Sequence, residues 1–402
     1  MNMINFKEFI VEQAEAEGKK LKHLTHLEDM PIHHGHEGVS ASADILDDTH
    51  KILTGKNAKT KLSVKYDGAP SIVFGHHPET NQFFVASKSA FNKTPKINYT
   101  PEDIERNHGH APGLVEKLKA ALEHLPKVTP KNGVYQGDVM HSKGDVESKD
   151  GKYHFTPNTI KYSVDKDSAQ GREIKNSKFG VVVHTKYKGK TLGDMSATPD
   201  VDRQNFKHDP DVHNIDPTIK IDPKKYTPDM QRDFRNHMEN AKMVYSKMSP
   251  ETPETLNGHE IDLEAHVNDM VKNDGKPSAE GYMNHLQNKM NREVDKLKSD
   301  AGKQKKTEEY TKKIDQVGAN KKDFDHVLQL HDHLQKAKNV LTDALGNNSE
   351  FEHHVGDQKV GPEGFVANRD GNMAKFVKRH EFSKLNLLGM GKMSKKPEQE
   401  NA

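Results

Sequence analysis

The chain has 402 residues, with 61 Lys and Arg against 60 Asp and Glu, so its net charge of +1 does not advertise nucleic acid and any binding groove for it must be local. Only 32 % of the residues are hydrophobic and the mean hydropathy is −0.95. Long solvated helices must therefore accompany a compact core, and no run approaches the roughly 18 apolar residues of a membrane-spanning helix.

Residues 1–20 read as a leader. Met1 to Glu12 lacks the basic start, apolar core and small-residue cleavage site of a secretory signal, whereas Phe6, Phe9 and Ile10 fall on one face of an amphipathic helix. His26, Glu28 and Asp29 follow as a polar group that either lines a pocket or caps a helix. His33-His34-Gly35-His36 is a poor metal site: the chain has no cysteine, which also excludes disulfides and cysteine nucleophiles. Ile45, Leu46, Ile52 and Leu53 predict a helix that stops at Gly55. Residues 61–74 and 82–87, rich in Val, Ile and Phe, read as strands. Asp67-Gly68 is a turn dipeptide that tolerates positive φ, which places Lys65 just before a hairpin tip.

Helices are expected over 101–105, with Thr100 as N-cap and Pro101 at the first helical position, and over 114–125. Strands over 133–140, 153–155, 159–164 and 179–185 complete a mainly antiparallel sheet. The Asp-, Pro- and His-rich stretch 198–225 reads as a linker or a loop over the site. Residues 229–347 are helical in pattern, most strongly at Phe324, Val327, Leu328, His331, Leu334, Val340 and Leu341. Residues 363–366 and 375–377 then return as a hairpin to the same sheet. The divisions expected are 1–20 (leader), 21–200 (first part of an α+β domain), 201–347 (linker and helical insertion), 348–390 (final strands) and 391–402 (disordered tail).

Five short motifs stand in a fixed order: Lys65-Tyr66-Asp67-Gly68, Tyr135-Gln136-Gly137-Asp138, Lys178-Phe179-Gly180-Val181-Val182-Val183, Pro362-Glu363-Gly364-Phe365-Val366 and Ala374-Lys375-Phe376-Val377-Lys378-Arg379. This series resembles the ATP-dependent DNA and RNA ligases and mRNA-capping enzymes, the covalent nucleotidyltransferase superfamily, and phage-encoded RNA-ligase-like proteins most of all. The N-terminal stretch likewise resembles the capsid-targeting peptides of T-even-type phages.

The resemblance implies an antiparallel-sheet, ATP-grasp-like ligase adenylation domain with a helical insertion. Only 27 residues follow Lys375, too few for a C-terminal oligonucleotide-binding (OB) fold. It implies that Lys65 attacks the α-phosphate of ATP and carries AMP, with Asp67 and Gly68 shaping its turn. Lys88 would lie near the ribose and Asp138 would hold the ribose or assist the metal. Phe179 would stack on adenine, Glu363 would organise Mg²⁺ or Mn²⁺, and Lys375 would hold the α-phosphate with Lys378 or Arg379. Alternate strand residues share a face, so Lys375 and Lys378 cannot both point at one phosphate from a regular strand, whereas Arg379 can join Lys375. The implied partners are nucleic-acid ends, RNA before DNA, in the host cytoplasm or packaged in the phage capsid. Transfer to a protein or cap-like acceptor, and a catalytically silent virion protein, are the competing expectations; the oligomeric state is not legible.

Overall fold

The computed structural model describes residues 24–356 and 358–383; the expected leader and tail lie outside them. The fold is α+β, as expected, but its strands form three sheets rather than one. Strand β1 (Lys61–Lys65) is followed by β2 (Ser71–His76), β3 (Phe83–Ala86), β4 (Val134–Ser142), β5 (Glu147–Lys149), β6 (Lys152–Phe155), β7 (Lys161–Asp165), β8 (Phe179–Lys188), β9 (Ser196–Thr198), β10 (Val212–Asn214), β11 (Glu352–Val355), β12 (Gln358–Val360), β13 (Gly364–Arg369) and β14 (Asn372–Val377).

The first sheet has the order β1-β13-β14, the second β10-β8-β4-β2-β3 with β9 on β8, and the third β12-β11-β7-β6-β5. All pairings are antiparallel except β10 with β8. The expected linker over 198–225 therefore contributes a strand, and Val201, Val212 and Ile215 within it are buried. Its sparse apolar residues are placed at the few positions that face the core.

Helix α1 (Met30–Leu53) begins well before the expected start, carrying the polar His-rich stretch across a break at Gly35, whose φ is +51°. Helices α2 (Pro101–His108) and α3 (Pro112–His124) cover one face of the second sheet through Ile104, Val115 and Leu118 against Phe74, Val139 and Val181. Thr100 caps α2 in a reciprocal box with Asp103. After α4 (Ala169–Asn176) come α5 (Pro228–Tyr245), α6 (Thr252–Leu256), α7 (Glu260–Lys272), α8 (Ala279–Asp295), α9 (Asp300–Ala319) and α10 (Lys321–Gly346).

These later helices are not an appendage. Leu334, Ala337 and Leu341 of α10 share a core with Ile45 and Leu46 of α1 and with Leu62, Val64, Phe365, Ala367, Ala374 and Phe376 from the inner face of the first sheet. The helical body thus supports the strands that carry the terminal motifs. Among the described residues, no helix is long and apolar enough to cross a membrane.

Candidate functional site

Burial of Leu62 and Val64 sends Ser63 and Lys65 to the opposite face of β1. Register then decides their neighbours. Lys65 lies opposite Gly364, next to Glu363, while Ser63 lies opposite Val366, which in turn faces Lys375. Lys65 and Lys375 accordingly emerge on one face. The Lys65 ammonium is ion-paired with Glu363 Oε1. Glu363 Oε2 is buried without a hydrogen-bond partner, and burial pushes this carboxyl above the usual range against the pull of Lys65. Lys375 is half-buried; burial and the Arg379 guanidinium lower its pKa. Its backbone N–H donates to Thr25 O at 3.0 Å, which fixes the residues before α1 along the edge of β14.

The turn after Lys65 is not a hairpin tip, because β1 and β2 belong to different sheets. The chain crosses between them and is fixed on both sides. Asp67 accepts from Asn158 Nδ2 at 2.8 Å, Thr159 N at 2.8 Å and Ile160 N at 3.1 Å, and its own N–H donates to Tyr162 Oη at 2.7 Å. Asp67 thus ties the crossing to the third sheet. Gly68 does not need positive φ; it is required by contact, since a Cβ there would stand 2.6 Å from Asp138 Cβ and 3.1 Å from Val139 O. Ala69 N–H and Pro70 O then exchange hydrogen bonds with Val139 O and N–H, at 2.9 and 3.0 Å.

Asp138 stands opposite Ser71 and Val182 on the second sheet, against the Lys65 crossing. His184, which sequence reasoning passed over, lies with Nε2 3.5 Å from Asp138 Oδ1. A bulge in the β4–β8 register between Gln136 and Gly137 brings it there, and no local sequence signal marks that bulge. Lys88 is exposed two residues beyond Ala86, the last residue of β3, which faces Val73 on β2.

Three expected roles are corrected. Phe179 is fully buried among Val115, Leu118, Val181 and Val212 and stacks near His124, at 6.5 Å between centroids; it offers no face to a base. Its strand is apolar on both sides, so its aromatic residue belongs to the helix-covered face rather than to that of Asp138. Lys378 turns away to pair with Asp343 and with Glu381 at 3.0 Å. Arg379 is fully buried: it pairs with Asp29, with Glu28 at 3.1 Å, and donates to Asn268 Oδ1 at 3.2 Å. It acts on the site through Lys375 and not by direct contact.

Glu28 and Asp29, with Lys338, His331 and Arg379, form a buried ionic group where α1, α10 and the end of β14 meet. Lys338 Nζ donates to both Glu28 oxygens at 2.7 and 2.8 Å and to Val377 O at 2.7 Å, and His331 meets Asp29 at 3.0 Å. Lys338 and Arg379 hold the Glu28 carboxyl down to about 2 despite its complete burial, and Arg379 and His331 keep the buried Asp29 carboxyl below its usual range. Glu28 and Asp29 therefore form an interior lock and not a pocket lining, while His26 bridges to Lys375.

Among the described residues no three His, Asp or Glu side chains converge as a preformed metal cage. Mg²⁺ bound with a nucleotide needs only one or two carboxylates beside phosphate oxygens and water, and the orphaned Glu363 Oε2 fits that requirement.

Residues 21–390 match the family DUF6267, described as a family of unknown function, and the chain belongs to that family. No curated protein and no solved structure matches it.

Proposed function

We propose that this DUF6267 member is an ATP-dependent nucleotidyltransferase that carries AMP on Lys65 and delivers it to a polynucleotide end, RNA before DNA. The observation that carries the reading is the meeting of Lys65, Glu363 and Lys375 on one sheet face, with Lys65 and Glu363 paired across 298 residues of sequence. A lone lysine at a strand end is commonplace. A half-buried lysine beside a second lysine and a buried carboxylate is arranged for chemistry.

In the reaction proposed, Lys65 Nζ forms a bond to the α-phosphorus as the bond to the pyrophosphate oxygen breaks. Attack needs the free amine, so as the phosphates enter the pair with Glu363 parts, the Lys65 ammonium gives its proton to solvent, pyrophosphate leaves with the electrons of the broken P–O bond, and Lys375 faces the phosphate charge. Mg²⁺ or Mn²⁺ would neutralise the triphosphate, and Glu363, through its unpartnered oxygen, is the residue to hold it, with Asp138 the carboxylate beside the Lys65 crossing. The acceptor then takes AMP from the phosphoramidate and restores the amine.

Incubation of the full chain with α-labelled ATP and Mg²⁺ tests this. The wild type acquires acid-labile label and Lys65→Ala does not. A labelled Lys65→Ala chain, or an unlabelled wild type, ends the proposal.

A further inference from the structure

Although the chain is almost neutral overall, its acids are unevenly spread: neither residues 80–101 nor residues 174–193 contain one Asp or Glu. The fold packs the lysine-bearing parts of these two stretches together. Phe91 meets Tyr187 at 4.6 Å between ring centroids, and Ala90 and Phe91 join Leu192 and Met195 in one small core. Lys88, Lys93, Lys96, Lys188 and Lys190 are all exposed around this junction.

Among the described residues, Lys88, Lys93, Lys188 and Lys190 have no ion-pair partner, whereas Lys186 is held by Asp202 at 2.6 Å. The nearest acid in sequence, Asp194, is folded back to accept from Thr191 N at 2.8 Å. The result is a cationic rim, and Asp202, the acid within electrostatic reach of Lys188, is already paired with Lys186. Lys88 opens the helical turn that follows β3, whose pairing with β2 ends at Val73 opposite Ala86, two residues from Ser71, the partner of Asp138.

We infer that this rim holds the sugar–phosphate backbone of a single-stranded polynucleotide and leads its end toward Lys65. Lysines attract phosphates irrespective of sequence, and the half-buried rings of Phe91 and Tyr99 lie among them where bases stack. A lipid surface is the poorer fit. Membrane-binding basic patches are paired with protruding apolar side chains, and among the described residues the large apolar side chains that are exposed, Met243 and Ile261, sit on α5 and α7 of the helical body. The inference rests on the nucleotidyl-transfer reading only for what happens to the bound end.

Anisotropy of a 5′-phosphorylated single-stranded oligoribonucleotide, measured with the full chain and no ATP over a salt series, tests it. Replacing Lys88, Lys93, Lys188 and Lys190 by Gln weakens binding about tenfold or more and lowers the slope of log affinity on log salt by up to about 3, at about 0.7 per lost phosphate contact. The same number of substitutions on exposed Lys296, Lys298, Lys305 and Lys312 leaves binding as it was. Equal binding by the rim variant, equal loss in the control, or capture of phosphatidylserine vesicles without the oligonucleotide overturns the inference. Labelling with ATP, run in parallel, separates the two ideas. Rim-dependent binding without label on Lys65 removes the transferase and keeps the surface, while label with rim-independent binding does the reverse.

Discussion

Lys338→Met is the most revealing single change away from Lys65, Glu363 and Lys375. Methionine nearly matches the volume of the lysine stem, so little cavity forms and the effect is electrostatic. The ammonium's three short hydrogen bonds, two to Glu28 and one to Val377 O, disappear from a site with no exposure. Two buried carboxylates, Glu28 and Asp29, are left to share Arg379 as their remaining fixed cation. Removing one partner from such a group costs about 3–5 kcal/mol, because the charge left behind stays desolvated. Urea unfolding followed by far-UV circular dichroism should show a lower midpoint at unchanged slope. Adding Glu28→Gln restores charge parity, and the double variant should recover about 1–3 kcal/mol relative to additivity. A loss below about 1 kcal/mol for Lys338→Met would falsify the view that this group locks the helices to β14.

Three further outcomes follow from the same geometry. His141 and His353 are buried and held neutral, each down to about 4 by desolvation; the unfolded chain binds more protons than the native one between that value and about 6.5, so stability should fall steadily as pH drops through this window, and a flat profile from pH 6.5 to 4 would contradict it. Gly68→Ala drives a methyl into Asp138 and the Val139 carbonyl; it should lower stability by about 1–3 kcal/mol and slow labelling of Lys65 at temperatures where the chain remains folded, and full-speed labelling would show that the crossing does not position the amine. Phe179→Leu should reduce stability by about 1–2 kcal/mol while ATP binding by calorimetry stays within about twofold, since the ring touches only core; a tenfold loss of affinity with intact stability would reinstate a stacking role.

What was legible in the sequence follows from how local each signal is. The strand ending at Lys65, the α2 cap at Thr100 and the apolar stripe of α10 are written within a few residues of themselves, and each appears where expected. The pairing of Lys65 with Glu363 depends on the register of β1 with β13, and only the resemblance carried by the ordered motifs implied that the two share a site. Phe179 was misread because Phe179, Val181, Val182 and Val183 are all buried, so β8 has no polar alternation to reveal which face is which. Lys378 and Arg379 follow the end of β14 at Val377, and strand alternation carries no information past it. Strand β10 was hidden in a stretch too polar to look like part of a sheet, and Asp67 seemed a turn residue when its carboxylate in fact anchors residues 158–160.

The pairing of β1 with β13 gives the site an order of birth. On the ribosome, Lys65 emerges long before Glu363 and Lys375, and until the final hairpin has been synthesised β1 has no neighbour in its own sheet. A nascent or prematurely terminated chain therefore displays the amine without its carboxylate or its companion lysine. If Lys65 carries AMP as proposed, a chain cut short before β13 and β14 should take no label from ATP.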